Sequence, residues 1–175
     1  MPFEQISRDS IFKGRVFDIE RVQVRLPDER SAYYEMVTHP GAVSIIPLDE
    51  SGNILFVRQF RPAAWQEVLE LPAGTLEKGE DPQECALREL REETGMGARQ
   101  LQKLGAFYLA PGYSSEYLHM FLARDLYKAP LEADLDEFLN VEAVPVAKAY
   151  EMARQGGFKD GKTLAGLFLA ESLIT

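Results

Sequence analysis

A chain of 175 residues, 46% of them apolar, can bury one good core and is short for two independent ones, so a single domain over 1–175 is expected. The formal charge of -9 argues against a surface built to hold nucleic acid by its phosphates, and an anionic ligand would need local cations, of which divalent metal ions gathered by carboxylates are the obvious kind. A single cysteine, Cys85, excludes an intramolecular disulfide, and with no Cys/His cluster for zinc, no signal-peptide core in Met1 to Arg15 and no membrane-length apolar run, a cytoplasmic protein without a membrane or nucleic-acid partner is expected.

Residues 14–26 and 31–39 are rich in Val, Ile, Phe, Tyr and Met with partial alternation, which predicts two strands separated by the turn at Pro27 and Asp28. Ala42 to Leu48 and Ile54 to Phe60 flank the turn residues Asp49 to Asn53, a hairpin signature. Asp81 to Thr94 predicts a helix with Asp81 as N-cap, Pro82 at the first position, Glu84 completing a pair like a capping box, and Gly95 as the stop. Strands over 101–109 and 117–122 are expected on either side of the Pro111 to Ser115 turn, followed by an acidic loop over 129–136 and a last strand over 141–146. Helices over 147–155 and 162–173 close the chain. The element order, strands first, a helix in the middle and helices at the end, predicts an α+β sandwich with a mixed sheet.

On the central helix, Ala86, Leu87, Leu90 and Thr94 share one side, and Glu84, Arg88 and Arg91 fall roughly opposite as the solvated face. Glu89, Glu92 and Glu93 lie at i, i+3 and i+4, a stripe of acids at the edge of the apolar side. Like charges at this spacing weaken a helix, so the stripe asks for a cation. For an isolated Glu-rich helix the ordinary explanation is a wet face with Arg88 and Arg91 as partners.

The context here is different. Gly74, Glu80, Arg88, Glu89, Leu90, Glu92, Glu93, Gly95 and Met96 match every fixed position of the Nudix box in its loop-helix-loop setting, a coincidence of about one in a million at ordinary residue frequencies. The chain thus resembles the Nudix hydrolases. The resemblance implies the Nudix fold, an α/β/α sandwich with a mixed sheet between helices and an N-terminal antiparallel strand region, and hydrolysis of a nucleoside diphosphate linked to another group, with Mg²⁺ or Mn²⁺ as cofactor. It implies Glu89 and Glu93 as principal metal ligands, Glu92 as a further or water-mediated ligand, and the Ala73 carbonyl as an additional donor, with Arg88 and Glu80 bracing the loop against the helix. Hard oxygen donors suit such ions, which neutralise a diphosphate and activate water.

Outside the box, Val57-Arg58-Gln59-Phe60-Arg61-Pro62, Leu69-Glu70-Leu71-Pro72-Ala73-Gly74 and Pro111 resemble the ADP-ribose pyrophosphatase branch, which implies ADP-ribose as the small-molecule substrate. By that resemblance Arg61, with Gln59 beside it, contacts the diphosphate, as a forked guanidinium can; Arg58 is taken as surface charge. Ala110 to Glu116 resembles the substrate loop, with Gly112 open to close approach and Glu116 facing substrate or metal. Asp134 to Phe138 resembles the loop carrying the general base, which makes Glu137 the candidate base. Leu135 departs from the acid that relatives carry there, so Glu116 stands second and Glu77 third, the last acting on metal-bound water. The branch implies a homodimer whose N-terminal strands, within 1–40, reach the partner's site, where Tyr33 and Glu35 would hold the adenine, although a tyrosine in a strand is more often a packing residue. His39 and His119 are expected to be structural, Cys85 a poor nucleophile, and Trp65 either an interface residue or part of the site wall. Rival activities are hydrolysis of another sugar nucleotide such as GDP-mannose, or a silent nucleotide sensor, against which the intact box argues.

Overall fold

The computed structural model describes residues 2–132 and 138–175, and the chain divides into two compact units, Met1–Gly41 with Phe107–Leu118, and Ala42–Ala106 with His119–Thr175. In the first unit, β1 (Glu4–Lys13), β2 (Asp18–Arg25) and β3 (Ser31–Thr38) form an antiparallel meander in that order. The β2 to β3 register runs without interruption from Asp18↔Thr38 to Arg25↔Ser31, while β1 shifts register twice, between Gln5 and Ser7 and between Ser10 and Phe12. The strands predicted at 14–26 and 31–39 correspond to β2 and β3; β1 is an addition. Of the three strands only Val22 is buried, and Phe3, Ile6, Ile11, Phe12, Tyr33 and Tyr34 are exposed. The 107–118 segment of this unit is sewn to the end of β3: Val37 N–H donates to the Tyr113 carbonyl at 2.7 Å, and Ser115 N–H donates to the Val37 carbonyl at 2.9 Å.

The second unit holds β4 (Ala42–Pro47), β5 (Asn53–Arg61), β6 (Gln66–Glu70), β7 (Ala73–Thr75), α1 (Pro82–Thr94), β10 (Asn140–Pro145), α2 (Val146–Arg154) and α3 (Gly161–Ile174), and most of β8 (Met96–Tyr108) and β9 (Tyr117–Lys128). The strands form two sheets, ordered β7-β4-β9-β8 and β10-β5-β6. β4 is buried along its whole length, the mark of a strand covered on both faces. Side chains alternate across a strand, and they sort accordingly. Val43, Ile45, Phe121 and Ala123 cluster with Cys85, Ala86 and Leu90 of α1. Met120 turns the other way, toward α3, where a Cβ on Gly166 would lie 2.7 Å from Leu71 and 3.1 Å from Met120. One helix therefore covers each face, the sandwich expected of the α+β class, although its strands are shared between two sheets rather than one. The Phe56 and Phe158 rings stack at 5.1 Å, and Tyr150 donates to the Leu167 carbonyl at 2.7 Å, tying α2 to α3. Among the described residues no helix is long and apolar enough to cross a membrane.

Candidate active site

α1 begins and ends where local chemistry dictates. The Asp81 carboxylate accepts from Gln83 N–H at 2.8 Å, Pro82 supplies a φ already suited to a helix, and Gly95 closes it in the left-handed conformation at φ 72° with its N–H on the Arg91 carbonyl. These boundaries fix which side chains meet β7. Glu93 accepts from Ala73 N–H at 2.9 Å, and the Glu89 carboxylate lies over Gly74 so closely that a Cβ at position 74 would overlap it. Both acids are buried, Glu89 at 8% and Glu93 at 4% exposure, deeper than the border position that the helical periodicity predicts.

Arg88 corrects a second expectation. The helical projection puts Arg88 on the solvated side of α1, but its side chain is only 27% exposed. Nε and Nη2 donate to Glu80 at 3.0 Å each, and Nη1 donates to Glu89 at 2.7 Å and Glu92 at 2.9 Å. The pairing with Glu80 is the brace expected between loop and helix. Hydrogen bonds from Arg88 hold the Glu80 carboxyl at about 2, against 4.5 ordinarily, and those same bonds push the guanidinium still higher. Cys85, beneath this cluster, has its thiol pushed well up, by burial first and the Glu80 charge second, which disfavours the thiolate and makes it a poor nucleophile.

A second charged group lies at the ends of β5 and β6. Arg61 donates through Nε and Nη2 to the two oxygens of Glu70, both at 2.8 Å, and Lys162 in the first turn of α3 also pairs with Glu70. The hydrogen bonds to Glu70 push the Arg61 guanidinium above its ordinary pKa, with a smaller contribution from the Glu93 charge.

The model of the NUDIX domain matches residues 38–167 of this chain. The chain belongs to the NUDIX family. The ADP-ribose pyrophosphatase of Bacillus subtilis is 41% identical over 160 residues, covering 90% of this chain and 86% of the relative. The methanol dehydrogenase activator of Bacillus methanolicus is 37% identical over 161 residues, covering 91% and 87%. A crystal structure of an ADP compounds hydrolase superposes with a TM-score of 0.86 at 26% identity, covering 98% of this chain and 94% of that one.

The α1 acids of this NUDIX chain are of the donor type that a divalent ion takes. The donors are hard oxygens, and Glu89 and Glu92 already share one cation, the Arg88 guanidinium. Among the described residues no three His, Cys, Asp or Glu groups stand together as a ready metal cage. Glu93 is held on the Ala73 amide and Glu89 and Glu92 on Arg88, so the donor chemistry fits while the carboxylates are turned to partners within the protein. Glu77 is exposed, its amide donating to Glu80 at 2.9 Å.

The remaining predicted residues of this NUDIX chain are distributed as follows. Gln59 sits mid-strand opposite Val68 in the β5 to β6 hairpin, and Arg58 pairs with Glu142 at 2.5 Å as surface charge. In the first unit, Tyr33 is 59% exposed and Glu35, on the same face of β3, pairs with Arg21 at 3.2 Å. Gly112 is exposed with open space where a side chain would project, and Glu116 N–H donates to the Ser114 hydroxyl at 3.1 Å. His39 accepts from Gly41 N–H at 3.1 Å and is held below its ordinary pKa by burial, a structural histidine. Trp65 is 80% exposed at φ 52° in the β5 to β6 turn, its ring edge-on to Phe60 at 5.5 Å. Glu137 lies outside the described residues.

Glu70 and Lys162 are the residues that the sequence analysis passed over. Two signals could have raised them: an acid inside the apolar run Val68 to Leu71, and a cation in the first turn of a helix, where the macrodipole disfavours it.

Proposed function

We propose that this chain hydrolyses the pyrophosphate of a nucleoside diphosphate linked to a second group, with ADP-ribose as substrate and AMP and ribose 5-phosphate as products. The observation that carries the proposal is the convergence on one side of α1 of Glu89, Glu92 and Glu93. Support for ADP-ribose over another sugar nucleotide comes from the Arg61 segment and from the Bacillus subtilis relative.

In this proposal Glu89, Glu92 and Glu93 hold Mg²⁺ or Mn²⁺, with the Ala73 carbonyl and Glu77 as further oxygen donors. A bound ion of this kind offsets the diphosphate charge and makes the attacking water more acidic. Arg61 orients the diphosphate, assisted by Gln59, and Gly112 admits the substrate to the backbone of the 110–116 loop. Glu137 takes the proton of the water as its oxygen bonds to phosphorus, and the bridging P–O bond breaks with its electron pair passing to the leaving phosphate. Glu116 is the second choice for that role. Tyr33 and Glu35 hold the adenine in a homodimer, whose contact surface is supported by the exposed Phe3 and, in β1, Ile6, Ile11 and Phe12.

The test is product detection with ADP-ribose, GDP-mannose, NADH, diadenosine polyphosphates and 8-oxo-dGTP, each with Mg²⁺ or Mn²⁺. Selective appearance of AMP and ribose 5-phosphate from ADP-ribose supports the proposal. Preference for another compound keeps the chemistry and discards the substrate, and binding without turnover of any compound favours a sensor. Glu137→Gln should lower turnover; if it is neutral while Glu116→Gln is inactive, the base belongs to the 110–116 loop.

A further inference from the structure

Glu70 closes β6 with its side chain only 3% exposed, a position where a lone carboxylate would be strongly unfavourable. Burial pushes its carboxyl up, but the Arg61 hydrogen bonds and the Lys162 charge together outweigh burial and hold it below the usual carboxylate range. The charge is thus kept. A buried ion pair of this kind contributes little net stability compared with apolar packing, so its geometry asks for another explanation.

The geometry is asymmetric. Glu70 is buried while the Arg61 side chain is 41% exposed, so the guanidinium is pinned to a buried carboxylate yet reached by solvent. The Nε to Nη2 edge lies on Glu70 in a bidentate contact, 2.8 Å on each oxygen. Because the guanidinium is planar and rigid, fixing one edge fixes the direction of the other, outward edge. Lys162, 12% exposed, comes from a different element to the same Glu70 oxygen that Arg61 Nη2 uses, and pairs with Asp160 at 3.0 Å. Asp160 is itself fixed, accepting from Thr163 N–H at 3.0 Å and from the Thr163 hydroxyl at 2.6 Å, and that hydroxyl accepts from Leu71 N–H at 2.9 Å, beside Glu70. The start of α3 is thereby locked to the end of β6, with Glu70 held between two cations.

We propose that Glu70 is a positioning residue that aims the outward edge of Arg61 at the substrate diphosphate, and that Lys162 holds Glu70 in the pose this requires. With Lys162 sharing Glu70, the carboxylate does not fall wholly to Arg61, whose charge remains available to an anion. The inference rests on the proposed contact between Arg61 and the diphosphate.

The test is steady-state kinetics on ADP-ribose for Glu70→Gln, Lys162→Met, Arg61→Ala and the double variant R61A/E70Q, each checked for folding by thermal melting. Arg61→Ala should raise KM about tenfold or more, and Glu70→Gln and Lys162→Met about three- to tenfold with a smaller change in kcat, the pattern of lost substrate binding. On the Arg61→Ala background Glu70→Gln should add nothing, because no guanidinium remains to be aimed. Glu70→Asp keeps the buried charge but withdraws the carboxylate by one methylene, and supplies the same comparison should Glu70→Gln not fold. Arg61→Ala at wild-type KM overturns the substrate contact itself. A raised KM in Arg61→Ala with an unchanged KM in the Glu70 variants, or a Glu70 effect that persists undiminished without Arg61, leaves that contact standing and overturns the positioning role.

Discussion

The Glu89 carboxylate occupies the space into which any side chain at position 74 would project. Gly74 is needed for close approach, since its φ is not positive, and Ala at this site must displace the acid. Gly74→Ala should therefore cost about 1–3 kcal/mol as overpacking and reduce turnover by moving a proposed metal ligand. Thermal melting and AMP release together check this; wild-type values of both would show that Glu89 has another resting place.

Glu93→Gln separates ligand chemistry from structure. Glutamine keeps an oxygen for the Ala73 N–H, so the contact between α1 and β7 survives while the negative charge is lost. Turnover should fall by at least about a hundredfold with the melting temperature nearly unchanged, as expected when an anionic metal donor is neutralised. Near-native turnover would remove Glu93 from the proposed metal ligands.

The parts of this molecule that were legible from sequence are those whose cause is local. α1 was bounded correctly because Asp81, Pro82 and Gly95 each act within a turn of the helix end. The Arg88 brace on Glu80 is legible through the family resemblance, but a helical projection alone puts Arg88 on the wet face, because it treats side chains as radial spokes, whereas a long arginine can fold its stem along the helix and carry its charge elsewhere. β1 gave no alternation to read: nearly all its residues are exposed and two register shifts break the period. Lys162 and Glu70 stand 92 positions apart, and nothing in either neighbourhood names the other.

Glu80 makes stability depend on pH. Its carboxyl lies at about 2 in the folded chain, lowered by Arg88 from an ordinary 4.5. A depressed folded value contributes stability that is fully present above 4.5 and is lost as the pH falls toward 2. The melting temperature of the wild-type chain should drop more steeply across that window than that of Glu80→Gln, which has no such proton to gain. Parallel curves for the two proteins would show that Arg88 does not hold Glu80 in solution as it does here.

Thr163 offers the sharpest test of the join between α3 and β6. It is fully buried, and its hydroxyl accepts from Leu71 N–H while donating to Asp160, the N-cap of α3. Valine has the same shape but no hydroxyl, so Thr163→Val leaves the Leu71 amide without its acceptor and should cost about 1–3 kcal/mol. Thr163→Ser keeps the hydroxyl and loses only a methyl group, so it should retain more stability than valine despite the smaller side chain. If denaturant unfolding ranks valine above serine, packing rather than the hydrogen bond holds this end of α3. A ranking of serine above valine, together with a raised KM for ADP-ribose in the valine variant alone, would tie the hydroxyl to the Glu70 and Lys162 arrangement that the α3 cap supports.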